Sequence, residues 1–448
     1  MQSASRIAVN RRLMPMQHIV VCAYGLLLAV AVGREQWLLV PPILLFPLVI
    51  LRPIECSLGL FAALVPFDTM ATLSRSPGGP GTGITWYLGA GAGVALIVAG
   101  LVGNRFVWPQ KGAAYWAALI AWGTVTAAWA ADSRTALERV PTAFALLLLY
   151  LAAVSVRISR RELLGIAVLT VAGGSVAAAY TAILYHHGVS WAGGRASLVA
   201  QGHLTDPNVL AASQLLPFSL TLSGLFNARS SHQRVLHLVA FGLITYGLLL
   251  EMSRGALIAA GVSALVLIWR YRPPLRVLGW LSPVAILAIT VPSTFYARME
   301  TGLSSRASGR FDIWSTAFPM LRDWWYRGAG FDNFAVVYVK HAGNATFFGG
   351  YQNQAHELFL SVAVELGVIG LFLLLAAIRS QLRSASEFMS VRGQRSFPIA
   401  IACEAACWGM LVMSLSLDTL WLKSFWLSWI LLAVAVRTCR NEQFVALP

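Results

Sequence analysis

The isolated histidine His356 lies where a long arginine-containing stretch meets a strongly apolar one. Residues 294–354 before it carry six Arg and Lys side chains, and residues 355–378 after it are mostly apolar. Nearby cations lower the pKa of an imidazole, so a histidine in this setting can accept a proton at neutral pH. At a membrane surface such a group suits chemistry on an anionic, lipid-linked substrate. The alternative is a histidine that only caps or hydrogen-bonds at a helix start.

Arg254 belongs to Ser253-Arg254-Gly255, a short break between apolar runs at about 235–252 and 255–270. A guanidinium at or just below a membrane surface is costly without a counter-ion. The position therefore predicts a bound anion or a carboxylate partner for Arg254. A simple ion pair with Glu251 is the competing interpretation.

Arg306 and Arg310 are four residues apart and can share one face of a helix. Two planar guanidinium groups on one face make a clamp for a diphosphate, because each offers paired N–H donors. Solvated loop charges, with Arg310 paired to Asp312, explain the same residues equally well.

Arg195 follows two glycines in a loop that is predicted to lie on the same side of the membrane. It is a further candidate for the same pocket, ranked below Arg254 and Arg310. The stretch Asp206-Pro207-Asn208 ends this loop, and Asp followed by Pro is typical of a helix cap and first turn.

Several kinds of chemistry lack their sequence patterns. No glycine-rich phosphate loop, Asp-x-Asp, HExxH or GxSxG pattern occurs, which argues against nucleotide hydrolysis, zinc chemistry and serine hydrolase chemistry. Cys403 and Cys407 are four apart on one helical face, but no histidine or second cysteine pair accompanies them. We therefore expect neither a metal nor a cofactor.

The elements that must position these residues are membrane helices. The chain is 58% hydrophobic and only 11% charged, which is typical of an all-α polytopic membrane protein. Apolar runs lie at about 17–33, 37–51, 54–67, 84–103, 112–130, 138–156, 162–186, 207–226, 235–252, 255–270, 275–293, 355–378, 397–417 and 420–437. Some are short for a bilayer about 30 Å thick, so we expect about twelve spans, with a range of twelve to fourteen.

The distribution of positive charge predicts the orientation. Alternating the runs from a cytoplasmic N-terminus puts most of the 33 Lys and Arg residues, with both termini, on one side, which the positive-inside rule makes cytoplasmic. The net charge of +15 is thereby a topology signal and not a sign of nucleic-acid binding. The organisation expected is a transmembrane bundle at 1–293, one large periplasmic loop at 294–354 and C-terminal membrane helices at 355–448.

The loop at 294–354 contains a periodic aromatic segment. Its large apolar residues recur at three- and four-residue steps: Phe311, Trp314, Phe318, Leu321, Trp324 and Trp325. This spacing predicts an amphipathic helix with an aromatic face, lying along the outer bilayer interface and ending before Gly328. Glu365 and Glu404 fall within apolar runs, where each is expected to stabilise packing or line a cavity.

Taken in order, these stretches resemble the bacterial O-antigen ligase and polymerase superfamily, and most of all the lipopolysaccharide O-antigen ligases. The matching stretches are Asp206-Pro207-Asn208, Ser253-Arg254-Gly255, Gly309 through Trp314, Gly328 through Phe334, and His356 through Leu371. Similarity in layout covers about residues 20–435, and sharp motif similarity covers about 195–375. Each motif is weak alone, while their order and spacing are more specific.

The resemblance implies a bacterial inner-membrane glycosyltransferase that uses an undecaprenyl-diphosphate-linked glycan donor at the periplasmic face. It implies that the essential histidine is His356 and that the essential arginines are Arg254 and Arg310. Asn208 falls in one of the matching stretches as a supporting residue. The family often has Asn after the histidine, whereas this chain has Glu357, which leaves the base intact but makes the subgroup less certain.

The expected mechanism is a metal-independent transfer with inversion at the anomeric carbon. His356 would deprotonate or orient the acceptor hydroxyl, while Arg254 and Arg310, helped by Arg195 or Arg306, would hold the leaving diphosphate. In a ligase the acceptor is lipid A-core. A repeat-unit polymerase of O-antigen or exopolysaccharide, or a protein O-oligosaccharyltransferase, fits the same residues, and a lipid-linked oligosaccharide transporter fits them less well. The sequence does not indicate an oligomeric state.

Overall fold

The computed structural model describes residues 52–68, 84–200, 203–282, 295–296, 310–341, 354–390 and 397–445. The helices are α1 Pro53–Leu64, α2 Ile84–Val102, α3 Gly112–Thr126, α4 Ser133–Val154, α5 Arg160–His186, α6 Pro207–Asn227, α7 Ser231–Leu250, α8 Arg254–Tyr271, α9 Leu275–Leu278, α10 Arg310–Trp324, α11 Phe334–His341, α12 Leu358–Ser390, α13 Pro398–Ser414 and α14 Lys423–Val445. Short 3-10 turns follow α1, α3 and α9 at Val65–Phe67, Ala127–Trp129 and Gly279–Leu281. The two-residue strands β1 Val199–Ala200 and β2 His203–Leu204 form one small hairpin.

The described part is a helical membrane protein. Seven of its helices are long and apolar enough to cross a bilayer: Thr85–Val102, Ser133–Val154, Arg160–His186, Pro207–Asn227, Ser231–Leu250, Arg254–Tyr271 and Leu358–Met389. On α8 the side chains of Ile258, Leu265 and Trp269 point outward at helical spacing, as lipid-facing residues do. The all-α expectation is thus confirmed. The count of about twelve spans stays a prediction, because the apolar runs at 17–33 and 37–51 lie outside the described residues.

One end of the bundle, which we call the His356 end, collects the connections that carry the candidate residues. There the ends of α5 and α7 meet through His186 and Tyr246, with 2.9 Å between the imidazole Nε2 and the phenol oxygen. The start of α14 meets the segment after α1 through an ion pair between Lys423 and Asp68. Helices that begin at this end, including α8 and α12, therefore present their first residues to a common region.

At the opposite end of the bundle, an ion pair and hydroxyl hydrogen bonds connect the helix ends. Arg105 pairs with Glu162 at 2.8 Å, which joins the end of α2 to the start of α5. Ser223 lies 2.7 Å from the Tyr271 hydroxyl and donates to the Pro398 carbonyl at 2.9 Å, joining α6, α8 and α13. These contacts fix the helix ends farthest from His356.

Glu404 is a buried packing acid, as the sequence predicts. Its carboxylate accepts both the Nε and an Nη of Arg270, at 2.9 and 2.5 Å, and both side chains are almost fully enclosed. The pair links α13 to the last turn of α8. Removing one partner of such a pair generally costs about 3–5 kcal/mol, because a charge is left buried.

Helix α14 forms the centre of the core. Its side chains from Phe425 to Val436 are buried on all sides. Trp426 and Trp429 stack at tilted angles on Trp116 of α3, with ring centroids 5.1 and 6.1 Å apart. The Trp116 indole also donates to Gln381 of α12 at 2.8 Å, so its polar atom is satisfied inside the apolar cluster.

Helix α12 is broken at Gly367, whose backbone leaves the helical region with φ 66° and ψ −168°. The segment 325–330 fills the break and supplies the missing backbone partners. Three hydrogen bonds do this: Ala329 N to Val364 O at 2.9 Å, Gly330 N to Glu365 O at 2.9 Å, and Val368 N to Trp325 O at 2.7 Å. The Gly328 to Phe334 motif and the Glu365 to Gly367 motif are therefore the two halves of one joint.

Replacing Gly328 with alanine is expected to lower the apparent unfolding temperature in lipid nanodiscs strongly. Gly328 has φ 79°, and an added Cβ would overlap the Glu365 carbonyl inside the joint. Gly188 is the matched control, since it has φ 82° but open space around an added Cβ. We expect about 1–2 kcal/mol for Gly188→Ala from the left-handed backbone alone, and about 3 kcal/mol or more for Gly328→Ala. Equal losses would mean that the close approach at Gly328 does not matter.

The predicted amphipathic helix is present as α10, but its core face differs from the aromatic stripe. The buried residues are Ile313, Ala317 and Met320, which pack against α11 and the start of α12. Phe318 and Trp325 are 67% and 60% exposed, and Trp325 follows the helix end. Trp314, Leu321 and Trp324 pack against the same cluster. The predicted stripe is therefore divided, and its exposed members Phe318 and Trp325 face outward, where they can meet a bilayer interface.

Candidate active site

His356 occupies a tight turn immediately before α12, with a left-handed backbone at φ 50°. The residues on either side of it are anchored. The Ala355 carbonyl accepts the indole N–H of Trp314 at 3.3 Å. The Glu357 carboxylate caps α12 by accepting Phe359 N at 3.1 Å and also Leu360 N. Capping at this helix start is therefore performed by Glu357.

Burial raises the pKa of Glu357, and the two N–H groups that it caps oppose the shift. The capping role gives a physical meaning to the departure from the family pattern. Asparagine is among the preferred residues at such a cap position, so either side chain can hold the turn that carries His356.

Replacing Glu357 with Asn is expected to preserve most glycan transfer, whereas Glu357→Ala is expected to reduce it and to destabilise the protein by about 1 kcal/mol. The alanine leaves the first N–H groups of α12 without their acceptor beside His356. Transfer rate and apparent unfolding temperature of both variants, measured side by side, check this. An alanine variant indistinguishable from the asparagine variant would remove the capping role.

Arg310 begins the helix that holds the His356 turn. Trp314, the residue that contacts Ala355, lies four positions after Arg310 in α10. Their backbone positions are therefore about 6 Å apart along the helix axis, slightly more than one turn. The structure describes Arg310 and Asp312 through their backbone alone, and Arg306 lies outside the described residues. The predicted Arg306 and Arg310 clamp and the Arg310–Asp312 pair both stay predictions.

Arg254 is the first residue of α8, at the His356 end. The preceding Ser253 donates its hydroxyl to the Asn208 side-chain oxygen at 2.9 Å. Asp206 caps α6 by accepting Asn208 N at 2.8 Å, which confirms the cap predicted from Asp206-Pro207. Asn208 thereby ties the starts of α6 and α8 together and fixes the backbone on which Arg254 stands.

Arg195 is buried, with 5% of its surface exposed. Its Nε donates to the Glu251 carbonyl at 2.9 Å, and an Nη donates to the Asn208 oxygen at 2.8 Å. The guanidinium thus braces the turn between α7 and α8.

Glu251 does not form the predicted alternative pair with Arg254. Both of its carboxylate oxygens are buried, and neither has a hydrogen-bond partner among the described residues. Burial raises the pKa of Glu251 well above its usual value, against the opposing charge of Arg195.

A buried network that the sequence analysis missed lies beside the α12 joint. Arg139 of α4 donates to Asp332 at 2.7 Å and stacks over the Trp421 ring at 4.7 Å. Asp332 N and Phe334 N both donate to the Glu365 carboxylate, at 3.1 and 3.2 Å. Glu365 is thus a buried acid satisfied by backbone N–H groups, in line with its predicted packing role. The only sequence signal for the network was a set of single charged residues at the edges of apolar runs.

The segment 415–422, between α13 and α14, reaches both helix starts of interest. Ser416 packs against Gly255, where an added Cβ would overlap the Ser416 hydroxyl. Asp418 lies 3.0 Å from the hydroxyl of Ser361, in the first turn of α12. The structure thereby joins the start of α8, with Arg254, to the start of α12, next to His356.

The described residues contain no group of three or more His, Cys, Asp or Glu side chains arranged to hold a metal ion. Within that part of the chain, Cys403 and Cys407 are free, buried thiols in α13. The residues predicted to bind a diphosphate, Arg254 and Arg310, stand at the starts of α8 and α10.

Residues 239–375 match the family model described as O-antigen ligase. The match contains Arg254, Arg310 and His356 and begins after Arg195 and Asn208. The resemblance noted from the sequence is thereby confirmed over this segment: residues 239–375 of this polytopic helical membrane protein are similar to the O-antigen ligase family. Among curated proteins no match to the chain was found.

Proposed function

We propose that the protein is an inner-membrane glycosyltransferase that transfers an undecaprenyl-diphosphate-linked O-antigen glycan to lipid A-core. One observation carries the proposal. The helix starts that bear Arg254 and Arg310 and the turn that bears His356 are linked at one end of the bundle, and all three fall in the O-antigen ligase match.

The reacting bonds define the task of each residue. The acceptor hydroxyl oxygen bonds to the anomeric carbon from the face opposite the diphosphate, and the bond from that carbon to the diphosphate oxygen breaks, which gives inversion. His356 takes the hydroxyl proton as general base. The departing group is an undecaprenyl diphosphate, whose growing negative charge must be stabilised.

Arg254 and Arg310 hold that diphosphate in this proposal, with Arg306 as a further donor. Arg195 assists from inside the protein, through Asn208 and the turn that precedes Arg254. The guanidinium groups neutralise the leaving group, so the proposed reaction requires no metal or cofactor. Asp312 orients Arg310, and Glu357 holds the turn of His356.

The proposed orientation places the His356 end at the periplasmic face and both termini in the cytoplasm. The opposite end carries Arg105, Arg160 and Arg161, with Arg437 and Arg440 at the end of α14. This distribution supports that orientation through the positive-inside rule. The division into 1–293, 294–354 and 355–448 is kept as part of the proposal.

The test uses the purified full chain in lipid nanodiscs, an undecaprenyl-diphosphate-linked glycan and lipid A-core, with EDTA and without nucleotide. One glycan transferred per lipid A-core is the expected product. Chain growth on the donor would identify a polymerase instead, and transfer to a protein acceptor alone would identify a protein O-oligosaccharyltransferase. An unchanged donor with every acceptor would contradict the glycosyltransferase proposal.

A further inference from the structure

The segment 415–422 touches the α8 and α12 starts on two sides. On one side Ser416 packs so closely on Gly255 that no side-chain carbon fits between them. On the other side Asp418 contacts Ser361, whose backbone N–H bonds to the Glu357 carbonyl at 3.1 Å. A movement of this segment would shift the turn of His356 and the start of α8 relative to each other.

The hydroxyl of Ser361 lies between two carboxyl groups. It is 3.0 Å from Asp418 Oδ2 and 3.3 Å from Glu365 Oε1. A serine hydroxyl has one proton, so it can donate to only one of these oxygens. For both contacts to be hydrogen bonds, one of the two carboxyl groups must carry a proton and donate it to Ser361.

The neighbouring donors indicate which carboxyl carries the proton. Glu365 already uses both of its carboxylate oxygens as acceptors, for the backbone N–H groups of Asp332 and Phe334. Asp418 accepts one backbone N–H, from Leu420, at a long 3.4 Å. Because both oxygens of Glu365 are engaged as acceptors while Asp418 has one long backbone contact, we assign the proton to Asp418, which donates to Ser361, and Ser361 in turn donates to Glu365.

Around Asp418, acidic side chains outnumber basic ones. Glu365 faces it from α12 and Asp332 from the segment after α10, while among the described residues Arg139 of α4 is the cation that acts on these acids. Arg139 is already paired with Asp332. Three ionised carboxylates beside one guanidinium in an enclosed site would repel each other.

We propose that Asp418 is a positioning residue which holds its proton up to about neutral pH and, through Ser361 and the packing of Ser416 on Gly255, keeps the His356 turn and the Arg254 helix start in register. The inference rests on the proposed function and assigns to it a residue outside the matched segment. Asp418 does not touch the reacting atoms and acts through the elements that carry them.

The titration of Asp418 gives the proposal a pH dependence. Burial raises the pKa of Asp418 to about 7, helped by the charge of Asp332 and opposed by Ser361, Leu420 N–H and Arg139. Because the folded pKa exceeds the unfolded value of about 3.9, the stability that this proton contributes is complete below about pH 3.9 and is lost as the pH rises through about 7. The His356 turn and the start of α8 should therefore be held less firmly relative to each other over the same pH range.

The decisive variants are Asp418→Asn and Asp418→Ala in the full chain. Asparagine keeps an N–H donor for Ser361 without a titrating proton, and alanine removes the donor. At pH about 6.5 we expect Asp418→Asn to transfer glycan within about threefold of the wild type, and Asp418→Ala to be slower by about tenfold with little change in donor affinity. Above pH 7 the asparagine variant should lose less of its rate than the wild type. Glu138→Gln, an exposed acid on α4, is the control.

Infrared titration of the same proteins separates this inference from the proposed function. The difference spectrum between the wild type and Asp418→Asn is expected to show the C=O stretch of one protonated carboxyl that disappears near neutral pH, while the bands of other buried acids such as Glu251 cancel. This readout needs no substrate, so it holds even if no acceptor is found. Absence of this band from the difference spectrum, equal defects in the two Asp418 variants, or full activity of Asp418→Ala would each overturn the proposal.

Discussion

Replacing His356 with alanine is expected to lower the rate of glycan transfer by about 10²- to 10⁴-fold, the usual contribution of a general base. Donor binding should change little, because the arginines proposed to hold the diphosphate lie on other elements. The backbone of the turn should survive, since Glu357 and Ala355 anchor it on either side. Single-turnover transfer with saturating donor, together with donor binding to the same variant, measures both quantities.

His187→Ala is the matched control for this experiment. His187 lies at the end of α5, also at the His356 end, and its side chain is exposed. A second variant, His356→Gln, keeps a hydrogen-bonding side chain but no basic nitrogen, so it separates positioning of the acceptor from removal of its proton. Full transfer by His356→Ala would take the imidazole out of the mechanism. Full transfer by His356→Gln alone would leave it an orienting role only.

Most helices were predictable because each depends on a local pattern. The apolar runs at 84–103, 112–130 and 207–226 correspond to α2, α3 and α6 within a few residues. A membrane span can be recognised from composition, because its whole length must be predominantly apolar. The start of α6 was equally readable, because Asp206 followed by proline describes a cap on its own.

The break in α12 could not be read from the sequence. The apolar pattern runs across Gly367 without interruption, and a lone glycine is tolerated inside many helices. What ends the first half of α12 is the insertion of 325–330, which supplies backbone partners from another part of the chain. The buried face of α10, formed by Ile313, Ala317 and Met320, likewise depends on the surface that the helix packs against.

The candidate residues could be found in the sequence because their chemistry is unusual at a membrane surface. The residues that hold their helix starts and turns in place could not. Arg139, Asp332 and Asp418 each stand alone in the sequence and look like ordinary charges at helix ends. Their structural roles depend on contacts between residues up to 193 positions apart, as for Arg139 and Asp332. Neither composition nor helical period carries information about such pairs.

Replacing Arg254 with lysine is expected to reduce kcat/KM for the lipid-linked donor by about 10- to 100-fold, the loss of one charge-assisted hydrogen bond to the diphosphate. The substitution keeps the positive charge, so the deficit would arise from the planar, paired donors that lysine lacks. Asn208 and Ser253 hold the helix start by contacts that do not use the Arg254 side chain, so the fold should be retained.

Arg272→Lys is the matched control, because Arg272 is an exposed arginine just beyond the other end of the same helix. It should leave kcat/KM unchanged, which excludes a general effect of arginine loss on α8. Binding of undecaprenyl diphosphate to both variants shows whether the deficit lies in holding the diphosphate or in the transfer step. Wild-type kcat/KM in Arg254→Lys would mean that any cation suffices at this position, and unchanged transfer in Arg254→Ala would move the diphosphate site away from α8 altogether.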